Sequence, residues 1–208
     1  MKYILFDVGA NWGVDSLSKT LFSPNIETWA FEPTPELIGY LTHHSRDCSD
    51  RYHVVPIALS DFDGISQFNI ADNPGSDWGC SSLNSFSDNL THTWPGRTDL
   101  KFNRFITVNV SRFDTWYNTN NINIDKIDFF HCDTQGSDLK VLKGMGDYIQ
   151  LIQQGMVECA RDESVKLYKE NHTLEEMKDF LNENGFEVFA TTPNDGFLNE
   201  FNVEFRKK

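Results

Sequence analysis

The sequence predicts an α/β fold built around a mostly parallel β-sheet. Short apolar runs, each long enough for one strand, alternate with segments of helical periodicity, as in successive strand–helix–strand units. The turn after the first apolar run contains Gly9 and Gly13, and the second run ends in the acid Glu32. In a doubly wound sheet these positions lie at the carboxyl ends of the strands, where ligands bind. The sequence therefore predicts a ligand crevice at this edge of the sheet.

The first part of the chain predicts three strands and two helices in alternation. Thr34-Pro35-Glu36 combines an N-cap hydroxyl, a proline at the first helical position and an acid in the first turn, so it predicts a helix start. The predicted elements, in order, are a strand at Tyr3–Val8, a helix at Val14–Leu21, a strand at Glu27–Phe31, a helix from Thr34-Pro35 to about Arg46, and a strand at His53–Ala58.

The pattern changes after Gly64, where two strands flank a long polar segment. Ser66–Ile70 and Phe105–Val110 are the predicted strands. The segment between them, about residues 71–104, is rich in Asn, Ser, Asp, Gly and Trp and has little periodicity. Loops of this length inside a compact domain are uncommon and often functional. We therefore expect this insertion to be a substrate loop or lid.

The last part of the chain returns to alternating strands and helices. Thr173 and Glu176 form a predicted capping box at a helix start. The predicted elements are a strand at Ile127–Cys132, a helix at Asp138–Gly144, a strand at Gly155–Cys159, a helix to Asn184, and a terminal pair at Phe186–Ala190 and Phe201–Phe205. Without repeats or a linker, the pattern predicts one domain over residues 1–208.

The composition indicates a globular acidic protein. Hydrophobic residues make up 39% of the chain, and the formal net charge is −13. That charge repels polyanions at long range, so we expect a small acceptor and no nucleic-acid partner. No apolar run approaches the ~18 residues that a membrane span needs, which predicts no membrane partner and a cytoplasmic location. The oligomeric state is not indicated.

The spacing of the first glycines favours one of two nucleotide cofactors. The dinucleotide fingerprint is GxGxxG, whereas this chain has Gly9-x-x-x-Gly13 preceded by Asp7. An acid at that position opposes a pyrophosphate but suits the cationic amino-acid end of S-adenosylmethionine (SAM). Glu32 could accept both hydroxyls of the ribose. SAM is therefore favoured, with an NAD-dependent oxidoreductase as an alternative.

Several motifs resemble one family of methyltransferases. The first is Asp7-Val8-Gly9-Ala10-Asn11-Trp12-Gly13, which resembles motif I of class I SAM-dependent methyltransferases in the form used by the FkbM family. Three segments follow in that family's order: Phe31-Glu32-Pro33-Thr34-Pro35, Ile57-Ala58-Leu59-Ser60-Asp61 and residues 127–136. The resemblance covers roughly residues 6–205 and is weakest in the insertion.

The resemblance implies a Rossmann-like class I methyltransferase sheet, mostly parallel, whose last strand runs antiparallel. It also implies methyl transfer from SAM, with S-adenosylhomocysteine as product, mostly to hydroxyl oxygens of sugars or other small molecules, so that a small-molecule or glycan acceptor is expected. The implied cofactor-binding residues are Asp7, Gly9, Ala10, Asn11 and Gly13 for the methionine portion, Glu32 for the ribose, and Ala58, Leu59 and Asp61 around the adenine.

The fourth core strand departs from the family pattern, which is Lys-x-Asp-x-Glu-Gly-x-Glu. Here Asp133 is kept, but the lysine is His131 and the first glutamate is Gln135. With an ordinary pKa of ~6.5, histidine can act as a general base. We therefore take Asp133, His131 and Glu158 as catalytic candidates. The changes could preserve catalysis, alter the acceptor, or mark a lost activity.

Each catalytic candidate also has a structural interpretation. His131 could be a hydrogen-bonded strand residue, and Asp133 could cap the helix that follows. Glu158 could pair with Arg161 or Lys166, because a charge in an apolar strand needs a partner. A non-catalytic SAM-binding module is therefore a second alternative. A divalent metal could bind between Asp133 and Glu158, but no ligand spacing requires one.

The insertion supplies the substrate-binding candidates. Aromatic faces beside hydroxyl groups and a cation suit a sugar ring, although tryptophans can equally anchor a long loop. The candidates are Trp78, Ser81, Ser82, Trp94 and Arg97. A third alternative is an N-methyltransferase acting on protein or nucleic acid. The absence of an Asn/Asp-Pro-Pro-Tyr/Phe signature and the acidic charge disfavour it.

Overall fold

The structure is a computed structural model that describes residues 2–72 and 78–208. Its strands are β1 (Tyr3–Val8), β2 (Ile26–Phe31), β3 (Tyr52–Val55), β4 (Ala58–Leu59), β5 (Gly64–Ile70), β6 (Arg104–Ser111), β7 (Phe129–Cys132), β8 (Gln154–Ala160), β9 (Phe186–Pro193) and β10 (Glu200–Lys207). Its α-helices are α1 (Val14–Phe22), α2 (Pro35–His44), α3 (Leu90–Thr93), α4 (Phe113–Thr119), α5 (Asp138–Gly144) and α6 (Leu174–Glu183).

The central sheet has seven strands in the order β3-β2-β1-β7-β8-β10-β9. Neighbouring strands from β3 to β8 are parallel. The last strand, β10, is antiparallel to both β8 and β9. This order confirms the predicted α/β fold with a mostly parallel sheet and an antiparallel last strand.

Helices and apolar clusters lie on both faces of the central sheet. Ile4, Phe6 and Val8 of β1 enter a large apolar cluster that includes Phe130 of β7 and the buried side chains of α4, α5 and α6. On the opposite face, α1 and α2 cover a smaller cluster that includes Ala30. Because successive side chains of a strand point to opposite faces, Asp7 and His131 lie on the face that carries α1. Their strands place them side by side, since Asp7 pairs with His131 in the register of β1 and β7.

A second, three-stranded sheet has the order β4-β6-β5. The predicted strand His53–Ala58 is therefore wrong in its second half, because β3 ends at Val55 and Ala58 joins the second sheet. Helix α4 was not predicted. Its buried residues Phe113, Trp116 and Tyr117 have helical spacing, but aromatic residues are poor helix formers and conceal the pattern.

The insertion between β5 and β6 packs onto the body of the protein. Its first part, residues 73–77, lies outside the described residues. Of the rest, Cys80, Trp94 and Leu100 form a buried cluster with Leu167 and Tyr168, which follow β8 in the chain. In the two ranges described, no helix has the length and apolarity required to cross a membrane.

Candidate active site

The turn after β1 brings two parts of the backbone into close contact. Gly9 has a φ of 81°, and a Cβ atom built on it would come within 2.0 Å of the Asp133 carbonyl oxygen. Gly13 has a φ of 62°, and its Cβ would come within 2.6 Å of Leu41 Cδ2. Only glycine fits a position with positive φ and so little space. The predicted glycine turn therefore packs directly against the backbone at the end of β7.

Glu32 is fixed at the end of β2 by backbone donors. The Asn11 N–H donates to Glu32 Oε2 at 2.9 Å, and the Thr34 N–H donates to Oε1 at 2.8 Å. The side chain is 4% exposed, and burial raises the pKa of its carboxyl group. Each carboxylate oxygen uses one lone pair on these bonds and keeps another. Glu32 can thus accept further hydrogen bonds from a ligand.

Two cavities meet beside this turn. The first, a narrow cavity of about 80 Å³, runs from Glu32 toward Ala58 and Leu59. The second, of about 300 Å³, lies on the α1 side of the sheet. Three residues line both cavities: Gly9, Asn11 and Asp133. The two cavities therefore lie on either side of the glycine turn and share part of their lining.

The remaining predicted cofactor residues distribute between the two cavities, with one exception. Asp7, Ala10 and Gly13 line the second cavity. Asp61 is exposed and lines neither cavity, and its side chain accepts a 3.3 Å hydrogen bond from the Ser60 hydroxyl. Asp61 is thus a correction to the prediction: the chain turns outward after β4, so its carboxylate faces solvent.

His131 forms an ion pair with Asp7. The distance from His131 Nδ1 to Asp7 Oδ1 is 2.8 Å, and the two side chains are 30% and 7% exposed. Burial by itself lowers the pKa of His131, but the hydrogen bond and charge of Asp7, together with Asp133 and Asp138, raise it to about 9. At neutral pH the imidazole is therefore mostly a cation. This corrects the expectation that His131 is a general base with an ordinary pKa.

Asp133 occupies the junction of the two cavities. Gln135 Nε2 donates to Asp133 Oδ1 at 2.6 Å. The orientation of Gln135 is fixed in turn by Tyr168, whose hydroxyl lies 2.8 Å from Gln135 Oε1. Burial raises the pKa of Asp133, which makes its carboxylate a better proton acceptor than an exposed one.

Glu158 lies behind Gln135, away from both cavities. It is 4% exposed, accepts a 3.3 Å hydrogen bond from Gln135 Nε2, and accepts another from Asn194 Nδ2 in the β9–β10 turn. Burial raises its pKa well above the ordinary value. The structure thus places Glu158 outside both cavities, beside Gln135, and not in the crevice with Asp133.

The pairing partners expected for Glu158 are also wrong. Arg161 pairs with Asp162 at 2.8 Å, and Lys166 pairs with Glu163 at 2.5 Å. Both cations follow β8 in the chain and pair with acids of their own segment. Glu158 is instead stabilised by side-chain amides.

Two further buried acids complete this region. Asp138 Oδ2 accepts from the Thr134 N–H and hydroxyl, and its Oδ1 accepts from the Glu158 N–H at 3.1 Å. Burial and the neighbouring Asp133 raise the pKa of Asp138 to about 7 and that of Glu200 to about 8. Asp138 stands where the family pattern has its last glutamate, so the sequence could have indicated that it belongs to this region. Glu200, at the start of a terminal strand, has no such signal in the sequence.

The substrate candidates of the insertion separate into two groups. Trp78 and Ser81 line the first cavity beside Gln135. Ser82, Trp94 and Arg97 do not line either cavity. The structure therefore brings only Trp78 and Ser81 to the crevice.

The other three candidates have contacts that anchor the insertion. Ser82 is fully buried and donates to the Gln135 carbonyl, and Trp94 is 2% exposed in the buried cluster. Arg97 Nη2 lies 2.6 Å from Asp99 Oδ2 and its guanidinium lies over the Trp94 ring. Ser82 and Trp94 therefore hold the insertion onto the body of the protein, whereas Arg97 contacts other residues of the insertion.

Sequence reasoning missed two aromatic residues of the site. Trp12 lines the second cavity, and its ring centroid is 6.1 Å from that of Trp78 across the mouth of the crevice. Trp12 stood within the glycine motif, which was a usable signal. Tyr168 was missed because it lies in a segment with no recognisable periodicity.

The crevice fits the predicted cofactor. Glu32 and the apolar residues Ala58 and Leu59 line the first cavity, as a ribose and a purine require. Asn11 Oδ1 is a buried acceptor with no hydrogen-bond partner in the described ranges, which is consistent with a donor supplied by a ligand. In residues 2–72 and 78–208, no three His, Cys, Asp or Glu side chains are arranged to hold a metal ion.

Comparison with known proteins identifies relatives of this chain. The family described as "Methyltransferase FkbM domain" matches residues 7–188. The 2-O-methyltransferase NoeI of Sinorhizobium fredii (strain NBRC 101917 / NGR234) is 25% identical over 145 residues. That alignment covers 68% of this chain and 56% of NoeI, so the chain spans little more than half the length of this relative.

Solved structures show the same fold at low sequence identity. The fibrillarin/Nop5p complex contains a chain that matches all of this one with a TM-score of 0.53 and 11% identity, over 73% of its own length. TrmK of M. capricolum, solved with S-adenosylhomocysteine, matches all of this chain with a TM-score of 0.50 and 9% identity, over 63% of its own length.

Proposed function

The chain belongs to the FkbM methyltransferase family, whose cofactor is SAM, and we propose that it methylates a hydroxyl oxygen of a sugar or another small molecule. The position of Asp133 carries this proposal, because Asp133 lines both cavities. An acceptor hydroxyl held there would meet a proton acceptor beside the cofactor crevice. The relative NoeI is a 2-O-methyltransferase, which supports oxygen as the acceptor atom.

The cofactor supplies an activated methyl group on a sulfonium, so the protein needs little more than alignment and a proton acceptor. Asp133 is suited to hold the acceptor hydroxyl and receive its proton. Burial raises the pKa of Asp133, and Gln135 fixes its orientation with a 2.6 Å hydrogen bond. The tryptophan rings of Trp12 and Trp78 at the crevice mouth suit the face of a sugar ring.

His131 has a different role in this scheme from the one its residue type suggests. With a pKa raised to about 9, only about one molecule in a hundred has a neutral imidazole at pH 7. Asp133 is therefore the better base. The match to a methyltransferase family favours SAM over the alternative of an NAD-dependent oxidoreductase.

A non-catalytic SAM-binding module is a second candidate. It is favoured by one observation, that Glu158 is enclosed by Gln135 and Asn194 and does not reach the crevice. Such a protein would bind SAM and its demethylated product without turning over any acceptor.

The test is formation of S-adenosylhomocysteine by the purified protein with SAM and a panel of monosaccharides and oligosaccharides. Turnover with a hydroxylated acceptor, lost in Asp133→Asn while SAM binding persists, supports the proposal. SAM binding without turnover on any acceptor favours the binding module. Absence of SAM binding contradicts both.

A further inference from the structure

The second cavity contains a partly buried cation. Its lining includes the charged residues Asp7, Asp15, Lys19, His131 and Asp133. Among the described residues that line the two cavities, Lys19 and His131 are the cations. The Lys19 side chain is 54% exposed and lies 3.6 Å from Asp15, which is 87% exposed. His131 is therefore the cation of this cavity that is better shielded from bulk water.

Asp7 determines how His131 can be used. The 2.8 Å contact to Asp7 Oδ1 occupies Nδ1 and fixes the ring. Within the described ranges Nε2 makes no hydrogen bond, and it is not among the buried atoms that lack a partner. A ring with Nδ1 bonded to a carboxylate and Nε2 accessible from the cavity is an oriented, positively charged N–H donor.

The charges of the crevice match one end of the cofactor. The amino-acid end of SAM carries an ammonium group and a carboxylate. Asp7 and Asp133 suit the ammonium and the nearby sulfonium, but both would repel the carboxylate. A cation beside the carboxylate offsets this repulsion, and His131 is the less exposed of the two cations among the described residues that line the second cavity.

We propose that His131, held by Asp7, binds the α-carboxylate of the methionine portion of SAM. It is then a cofactor-binding residue and not the base of the reaction. This inference rests on the proposed function only for the identity of the cofactor; it does not require any particular acceptor. It also explains how a histidine can stand where the family pattern has lysine, since both supply a cation.

The experiment is calorimetric titration of the intact protein with SAM and with decarboxylated SAM, which lacks only the carboxylate. His131→Gln removes the cation, and Lys19→Gln is the matched control on the same cavity. We expect His131→Gln to weaken SAM binding by about 10- to 100-fold and to change the affinity for decarboxylated SAM by less than about twofold. Lys19→Gln should change either affinity by less than about threefold.

Equal losses of both ligands in His131→Gln would overturn the proposal, because they would indicate a purely structural role. Unchanged SAM affinity with lost turnover would also overturn it and assign His131 to the acceptor. If wild-type protein binds SAM but methylates nothing, the proposed function fails while the SAM selectivity still decides this inference. If wild-type protein does not bind SAM, both fail.

A second variant keeps the test decisive if His131→Gln does not fold. His131→Lys preserves a cation and should bind SAM within about threefold of wild type at pH 7. Above pH 9 the wild-type histidine loses its charge near Asp7, Asp15, Asp133, Asp138 and Lys19, whereas lysine, with an ordinary pKa of ~10.4, keeps it longer. The ratio of wild-type to variant affinity should therefore fall between pH 7 and 9.5, and a constant ratio would overturn the proposal.

Discussion

The hydroxyl of Ser82 donates a 2.6 Å hydrogen bond to the main-chain carbonyl of Gln135, 53 residues further along the chain. This bond joins the insertion to the turn that carries the side chains of Asp133 and Gln135. Gln135 has a positive φ of 55°, an uncommon conformation for a residue with a side chain. The insertion therefore supports the backbone of the active-site turn.

Ser82→Ala should lower the free energy of unfolding by about 1–3 kcal/mol, because it leaves a buried carbonyl with only a weak partner. That partner is Asn84 Nδ2, at 3.4 Å from the same carbonyl oxygen. Urea denaturation measures the change. Ser87→Ala is the matched control, since within residues 2–72 and 78–208 its hydroxyl bonds only the Asn89 side chain, at an exposed site. Equal effects of the two substitutions would contradict the role given to Ser82.

Gly9→Ala should abolish SAM binding and destabilise the fold. The added Cβ would meet the Asp133 carbonyl oxygen at 2.0 Å, and neither backbone can move without displacing the crevice. Gly39→Ala in α2 is the control, because nothing lies within 4 Å of its Cβ. It should stabilise the protein by about 0.5–1 kcal/mol through the better helix propensity of alanine. Thermal unfolding and calorimetric titration with SAM report both outcomes, and a Gly9→Ala protein that binds SAM normally would refute the close contact.

Glu32→Gln should weaken SAM binding by at least about tenfold. A carboxamide has one acceptor oxygen, so it cannot receive both the Asn11 and Thr34 N–H groups and also the ribose hydroxyls. Calorimetric titration with SAM gives the affinity. The control is Glu36→Gln, whose carboxylate is half-exposed and pairs with Arg104 on the surface. A loss no larger than that of the control would exclude Glu32 from the cofactor site.

Gln135→Glu restores the residue of the family pattern but should destabilise this chain above neutral pH. The new carboxyl group would lie beside Asp133 and Glu158, whose pKa values burial already raises. The loss of stability should therefore be larger at pH 8 than at pH 5. Thermal unfolding at the two pH values measures it, with the exposed Gln67→Glu as control. An equal loss at both values would show that the amide is not needed to separate the acids.

The wild-type protein should be most stable near pH 5 and lose stability up to pH 9. Asp138 and Glu200 have folded pKa values of about 7 and 8, above their unfolded values of ~4, so the folded state binds more protons than the unfolded state between about pH 4 and 8. For His131 the stabilisation is complete below ~6.5 and is lost as the pH rises through about 9. All three effects have the same sign.

Urea denaturation at pH 5, 7 and 9 tests this dependence. Glu200→Gln should flatten the curve between pH 4 and 8, because it removes one group whose proton is bound more tightly in the folded state. Surface carboxylates with lowered pKa values, such as Asp162 at about 2, stabilise the fold fully above about pH 4 and change the stability only as the pH falls below that value. Stability that rises from pH 5 to 9 would contradict the buried acid assignments.

The sequence alone determined the order and type of the main elements, and it predicted the residues that would bind the cofactor. Strand runs, the proline at the start of α2 and the capping box of α6 are local signals. They were confirmed, except that the strand predicted at His53–Ala58 ends at Val55. The positions of Gly9 and Glu32 were predictable for the same reason, because both signals are local. A glycine turn after a strand and a charged residue at the end of a strand are each recognisable from a few consecutive residues.

Only the tertiary structure decided the roles of the polar side chains. Asp7 and His131 are 124 residues apart, and the register of β1 with β7 makes them an ion pair. Glu158 is enclosed because the β9–β10 turn brings Asn194 over it, and Ser82 is buried because the insertion folds back onto Gln135. Charge state and access depend on burial and on partners distant in the chain. Local periodicity carries no information on burial or on distant partners. The structure therefore makes His131 a cation, encloses Glu158 and uses Ser82 to anchor the insertion.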